Sequence, residues 1–263
     1  MSRGVKFAAA WIVLATGSAA FAVLFWTSTS RAMDLQRALE APSWSHIFGT
    51  DPLGRDLFLR LLCGAAVSLG VAAGATLVST VIGVCVGLAS GYFGKRVDRA
   101  LMAFTDLTLC FPSFFLLLSV ITILGPSFLN LVAILGLTGW MGTARLVRAE
   151  TLSVKERDFV LAARVYGAGP TRIMLKHLLP NVGGVIIANT VLSIAAFILT
   201  ETGLSFLGLG IQPPMPSWGN VLSDAKAGLG VAWWLAVFPG VFIFLTVLSA
   251  NVLGEDLRER FYS

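Results

Sequence analysis

Charge is scarce in this chain. Only 13% of its 263 residues are Asp, Glu, Lys or Arg, about half of the roughly 25% carried by an ordinary soluble domain. Hydrophobic residues make up 56% and mean hydropathy is +0.84. A chain of this length could form one or two soluble domains, but this composition would leave too much apolar surface in water. Cysteine is sparse too. Cys63, Cys85 and Cys110 form no C-x-x-C pair and no Cys/His cluster, so neither a disulfide framework nor a zinc site is supported. They read as small polarizable core residues. Histidine is limited to His46 and His177. No G-x-x-x-x-G-K-[ST] segment is present, so the chain has no P-loop with which to bind ATP. The net charge of +5 lies between apolar blocks and forms no basic domain, which argues against nucleic-acid binding.

What the chain has in abundance is long apolar runs. A bilayer core takes about 20 apolar residues per helix, and runs of that kind fall near 7–26, 65–92, 101–124, 128–146, 182–203 and 231–252. The expected class is an all-α polytopic membrane protein with six spans. The first run follows a basic start as a signal peptide does, but it exceeds the usual h-region and no A-x-A-like site ends it. It reads as an uncleaved span. In the second, Gly70, Gly74, Gly83 and Gly87 suggest close helix contact. Basic residues orient the chain. With the N-terminus inside, Arg31, Arg37, Arg55, Arg60 and Lys226 fall outside and the other 14 of the 19 fall inside. That bias places both termini in the cytoplasm. Trp26, Trp233 and Trp234 fall at outer span ends, as interfacial anchors do. Pro239-Gly240 marks a kink in span six.

Between spans four and five lies a cytoplasmic segment too polar to cross a bilayer. Ser153-x-x-Glu156 has the form of a capping box, predicting a helix from Val154. Phe159, Ala162, Ala163 and Tyr166 follow at helical spacing as one apolar face, and Gly167 suits a left-handed C-terminal cap. Gly169-Pro170 opens a second short helix, with Ile173, Leu175, Leu178 and Leu179 as its apolar residues and Pro180 as its stop. Physics alone leaves two roles open for this helix–turn–helix: a pair lying on lipid head groups, or a docking element for a cytoplasmic partner.

The sequence here, "LAARVYGAGPTRIMLKHLLPN", resembles the EAA loop of ABC importer permeases. Ala162, Ala163, Gly167, Ile173, Leu179 and Pro180 match that pattern, and Leu161 stands where the family has an acid. Three further stretches are similar to the dipeptide/oligopeptide/nickel permease family. They are "GTDPLGRDLFLRLLCGAAVSL" (49–69), "RALMAFTDLTLCFPSFFLLL" (99–118) and "ETGLSFLGLGIQPPMPSWGNVLSDA" (201–225), the last resembling its C-type subunit. The resemblance implies a type I ABC importer permease fold. Residues 1–64 would form the first span and an outer amphipathic segment, 65–257 the permease core with a coupling loop near 147–181, and 258–263 a cytoplasmic tail. It implies a bacterial inner-membrane, multi-pass permease subunit rather than an enzyme. Its partners would be a B-type permease in a heterodimer, one or two P-loop ATPase subunits that bind ATP and Mg, and an extracytoplasmic substrate-binding protein. The cargo would be di- or oligopeptides, or alternatively nickel or a metal–chelator complex. In the family the loop is a coupling helix seated in a groove of the ATPase, with Arg164 available to acidic rim groups.

Other residues carry open readings. Asp51 is expected as an N-cap with Pro52 at the first helical position. The amphipathic helix after it, which includes Arg55 and Asp56, is either an interfacial brace or a contact for the binding protein or outer mouth. Asp106 and Glu201, ionisable groups within spans, are either structurally paired or part of a pathway. Ser217 is expected to cap a short outer helix running to about Ala227, and the resemblance implies that this region, with Trp218 and Asp224, lies near the binding-protein face. Gly203-Leu204-Ser205 prompts an intramembrane protease, but neither histidine falls within a span to serve as its base. A solitary secondary transporter would show internal repeats, and none is evident.

Overall fold

The computed structural model describes residues 3–25, 30, 32–228 and 230–262. Trp26 and Arg31, read above as an outer anchor and an outer charge, lie outside the described residues. The described residues are α-helical with no strand, as a lipid-embedded backbone must be unless it closes into a barrel. Ten helices follow in order: α1 (Arg3–Phe25), α2 (Leu57–Phe93), α3 (Lys95–Leu109), α4 (Ser113–Leu124), α5 (Phe128–Val154), α6 (Asp158–Val165), α7 (Pro170–Ile173), α8 (Leu179–Phe206), α9 (Trp218–Ser223) and α10 (Trp234–Tyr262). Among the described residues, five helices are long and apolar enough to cross a membrane, or six if the bent pair α3–α4 is counted as one span.

The bundle is organised around a parallel seam between α2 and α5, where small residues bring the backbones together. A Cβ on Gly83 would lie 2.6 Å from Thr143 Cβ, one on Gly87 2.7 Å from Ala144 O, and one on Gly91 2.6 Å from Thr151 Cβ. From the other side, a Cβ on Gly136 would meet Val78 at 2.6 Å. Only glycine fits these positions without moving a neighbour, and close contact of this kind replaces the hydrophobic drive that lipid removes. At one end of the bundle, Trp11 of α1 donates to Thr246 of α10 at 3.0 Å. The start of α1 shares that region with the end of α10, where Val5, Val252 and Glu255 line one groove. Phe261 there packs on Gly184 of α8, so the Arg3 and Tyr262 ends lie on the same side as the segment between α5 and α8.

The third span is not the continuous helix the apolar run predicts. α3 and α4 are bent by 79°, because Pro112 at the N-cap of α4 supplies no N–H and holds Phe111 out of the helical region. The amphipathic helix expected after Asp51 and Pro52 is also not a separate element. α2 starts at Leu57 and runs unbroken for 37 residues, about 55 Å at 1.5 Å per residue against a hydrocarbon core of about 30 Å.

Three expected caps also move. Asp56, not Asp51, caps α2, accepting from Leu59 N at 2.9 Å. Ser153 begins nothing. α5 continues through Val154, whose side chain is buried with Val147 and Leu88, and that packing outweighs the local capping signal. α6 instead starts after Arg157 without a side-chain cap. Pro180 does not stop a helix. It sits in the first turn of α8, and a π-helical turn over Met174–Leu178 joins α7 to α8, giving one apolar rod from Pro170 to Phe206.

Trp234 is not an interfacial anchor. It is buried and donates to Thr50 O at 3.1 Å, whereas Trp233 is exposed. Of the cysteines only Cys63 is buried, with Cys85 and Cys110 exposed on the chain's own surface. α10 runs through Pro239. Ser217 caps α9 as expected, and Asn220 completes a capping box.

Candidate functional site

The segment between α5 and α8 is a folded platform. Lys155 turns the chain out of α5 and its Nζ donates to Gly91 O at 2.9 Å, fixing the turn to the end of α2. α6 follows, with Asp158 in its first turn, where a carboxylate favours the helix dipole. Gly167 ends it at φ +78°. Gly167 N donates to Arg164 O at 2.9 Å and Ala168 N to Ala163 O at 3.0 Å, the pairing of a left-handed helix terminus. Pro170 then opens α7.

One side of this segment is anchored. Val160, Ile173, Leu178 and Val182 are buried with Leu88, Val147 and Val154, so the two short helices sit on the ends of α2 and α5. Beneath them Arg148 forks onto Asp98, Nε to Oδ1 at 2.5 Å and Nη2 to Oδ2 at 2.7 Å, while Ser90 Oγ donates to the same carboxylate. This bidentate pair ties α2, α3 and α5 together below the platform.

The other side is bare. Phe159 is 39%, Val165 86% and Tyr166 90% exposed, and Leu161 and Ala162 are exposed beside them. Ala163, expected on the same face, is half-buried. Ile173 is fully buried within the platform and Leu179 half-buried, while Pro180 is exposed. Arg164 is exposed and also has a partner within the chain. Its Cζ lies 5.4 Å from the Tyr92 ring centroid, a cation–π contact that presses α6 onto α2. Reading the sequence missed Val160 as the inward anchor and Val165 as part of the outward face. The signal for both was the i, i+3, i+4 spacing around the residues already chosen. Leu161, where the family's acid would stand, extends the apolar face.

At the opposite end, the residues expected on the outer face form a closed charge cluster rather than an exposed patch. The Asp51 side chain is fully buried. It accepts from Leu53 N at 2.8 Å, Arg55 N at 3.0 Å and Arg55 Nε at 2.6 Å, and it also pairs with Arg60. Arg60 reaches on to Asp224 at 2.5 Å, with Arg55 Nη2 at 3.6 Å, so loop, α2 and the turn after α9 are joined. Reading the sequence missed Arg60, because its partner Asp224 is 164 positions away. Asp56 accepts from His46 Nδ1 at 2.9 Å. Trp218 is fully buried and donates to Leu61 O at 3.0 Å, so it faces the core. Asp106 is exposed and pairs with Arg145 of α5 at 2.5 Å. Glu201 is fully buried among hydroxyls.

Between α5, α8 and α10 a groove of about 320 Å³ carries Asn189 and Arg258 on otherwise apolar walls. Among the described residues no cluster of three or more His, Cys, Asp or Glu side chains could hold a metal ion.

Residues 83–260 match the family described as binding-protein-dependent transport system inner membrane component. The chain is 39% identical over 237 residues to the oligopeptide transport system permease protein OppC of Haemophilus influenzae, covering 89% of this chain and 76% of that protein. It is 42% identical over 219 residues to the dipeptide transport system permease protein DppC of Bacillus subtilis, covering 83% and 68%. It is 38% identical over 244 residues to the glutathione transport system permease protein GsiD of Pectobacterium atrosepticum, covering 90% and 81%. With this match extending from the α2–α5 seam through the platform to the end of α10, the chain belongs to the binding-protein-dependent transport system inner membrane component family, the permeases of ABC transporters.

Proposed function

We propose that this chain is one of two permease subunits in an ATP-driven importer of di- and oligopeptides. The observation that carries this reading is the outward face of α6. Phe159, Leu161, Val165 and Tyr166 stand exposed on a platform buried on its other side, an arrangement that suits insertion into a groove on a partner. The partner is a P-loop ATPase subunit, one protein or two, which binds the ATP and Mg that this chain has no motif to hold. A second, B-type permease completes the path as a heterodimer. An extracytoplasmic binding protein delivers the cargo to the opposite end. In this orientation the platform and both termini are cytoplasmic, consistent with the surplus of basic residues at that end. Peptide cargo is supported by the relatives named for oligopeptide, dipeptide and glutathione transport.

Purification of the tagged chain from its native membrane in mild detergent, followed by mass spectrometry, tests the assembly. Recovery of a second permease together with P-loop ATPases is the expected result. Recovery of the chain alone, under conditions that keep other membrane complexes intact, would contradict it.

A further inference from the structure

Glu201 is 0% exposed, and among the described residues no cation pairs with it. Its two oxygens are occupied by hydroxyls instead. Ser68 Oγ of α2 donates to Oε2 at 2.9 Å, and Ser205 Oγ, one turn on in α8, donates to Oε1 at 2.6 Å. Each hydroxyl also accepts a backbone N–H from the outer face. Trp218 N donates to Ser68 Oγ at 3.0 Å, and Ile211 N donates to Ser205 Oγ at 3.1 Å. The Ser217 side chain, the cap of α9, faces the same carboxylate. One buried acid thus organises the loop at Ile211 and the start of α9, and fastens them to α8 and α2. The fit around it is close: a Cβ on Gly219 would lie 2.6 Å from Ser205 Cβ.

Packing alone does not call for a carboxylate here. An apolar side chain of similar volume would fill the space without the desolvation of a charge, and burying a charge costs several kcal/mol unless its bonds are satisfied. What the carboxylate adds is direction, because a fully satisfied buried network fixes one arrangement of the groups it joins. Its position gives that arrangement a use. The rod from Pro170 to Phe206 is continuous, so Ile173 in the platform and Glu201 are on one helix, about 42 Å apart at 1.5 Å per residue.

We propose that Glu201 is a positioning residue for transport. It ties the outer loop and α9 to the far end of the rod, so that movement imposed on the platform reaches the face where the binding protein docks. This rests on the importer reading given above.

The test uses the complete transporter in proteoliposomes, with its binding protein saturated with a mixed pool of di- and oligopeptides. ATP hydrolysis is measured with and without that binding protein, and amide exchange over 207–218 with and without a non-hydrolysable ATP analogue. Wild type is expected to show stimulation, and nucleotide-dependent exchange in the loop. Glu201→Ala is expected to lose about tenfold of the stimulation, within the usual range of coupling between sites, and to lose the exchange response, with basal hydrolysis kept. Glu201→Gln, which still accepts from one serine and can donate to the other, is expected to recover most of both. If Glu201→Ala fails to assemble, Ser68→Ala serves in its place, with a smaller loss of both readouts expected. An assembled Glu201→Ala or Ser68→Ala with wild-type stimulation and wild-type loop response would overturn the proposal. Absence of stimulation in wild type itself would instead overturn the importer reading, and this inference with it.

Discussion

Gly167 and Gly87 show two different reasons for the same residue. Around Gly167 there is open space, and the demand is its φ of +78°. A side chain there meets no neighbour but costs about 1–2 kcal/mol of backbone strain, and more for a β-branched residue than for Asn. Gly167→Val is therefore expected to lower peptide uptake several-fold with the chain still inserted, and Gly167→Asn to fall between it and wild type. Uptake of a labelled peptide, read beside the amount of chain in the membrane, checks this. Normal uptake by well-expressed Gly167→Val would contradict the role given to the turn. At Gly87 the demand is space, since a Cβ would sit 2.7 Å from both Ala144 O and Val147 Cβ. Gly87→Val forces α2 away from α5 at a cost of about 1–3 kcal/mol. A lower thermal midpoint in detergent is expected, while Gly183→Ala, with nothing within 4 Å, should show no such loss. An unchanged midpoint for Gly87→Val would mean the seam is looser than its geometry indicates.

At the scale of elements, the Asp51–Arg55–Arg60–Asp224 charge cluster makes the most exacting connection. Removing Arg60 leaves Asp51, whose side chain is 0% exposed, with Arg55 as its one remaining cation, and leaves Asp224 with only the longer Arg55 contact. Breaking one side of a buried pair costs about 3–5 kcal/mol. Arg60→Leu should open the loop 34–56 to proteolysis, and adding Asp224→Asn should restore part of the protection. Equal protection in wild type and Arg60→Leu would show that backbone bonds alone hold the loop.

The same cluster shows where the sequence was legible and where it was not. The small-residue spacing of Gly83 and Gly87 and the turn at Gly167 are local signals, and both were readable. Asp51 followed by Pro52 is also a local signal, but two arginines claim that carboxylate, one of them also bound to a residue 164 positions away, and the cap moved to Asp56. Pro180 misled for a different reason. A proline within the first turn of a helix breaks no bond, and the π-turn before it carries the chain through. Ser153 lost to the burial of Val154, and Trp234 to a hydrogen bond with Thr50. At Asp51, Ser153 and Trp234 a tertiary contact overrides a correct local rule, whereas Pro180 keeps to a local rule, that of a proline tolerated in the first turn.

Across the whole molecule, two features stand at opposite ends of one bundle. A platform with a bare apolar face lies at the end shared by the start of α1 and the end of α10, and a tightly bonded cap lies at the other. The rod through α7 and α8 runs between them. The bare face of α6 also suits lipid head groups, so its occupant is what must be identified. A photo-crosslinking amino acid placed at Tyr166, 90% exposed, in the transporter assembled in native membranes identifies it directly, with Leu199 on the flank of α8 as the control. The expected result is an adduct between position 166 and a P-loop ATPase subunit, absent from position 199. Adducts from position 166 to lipid alone, with the ATPases present in the same membrane, would contradict docking through α6.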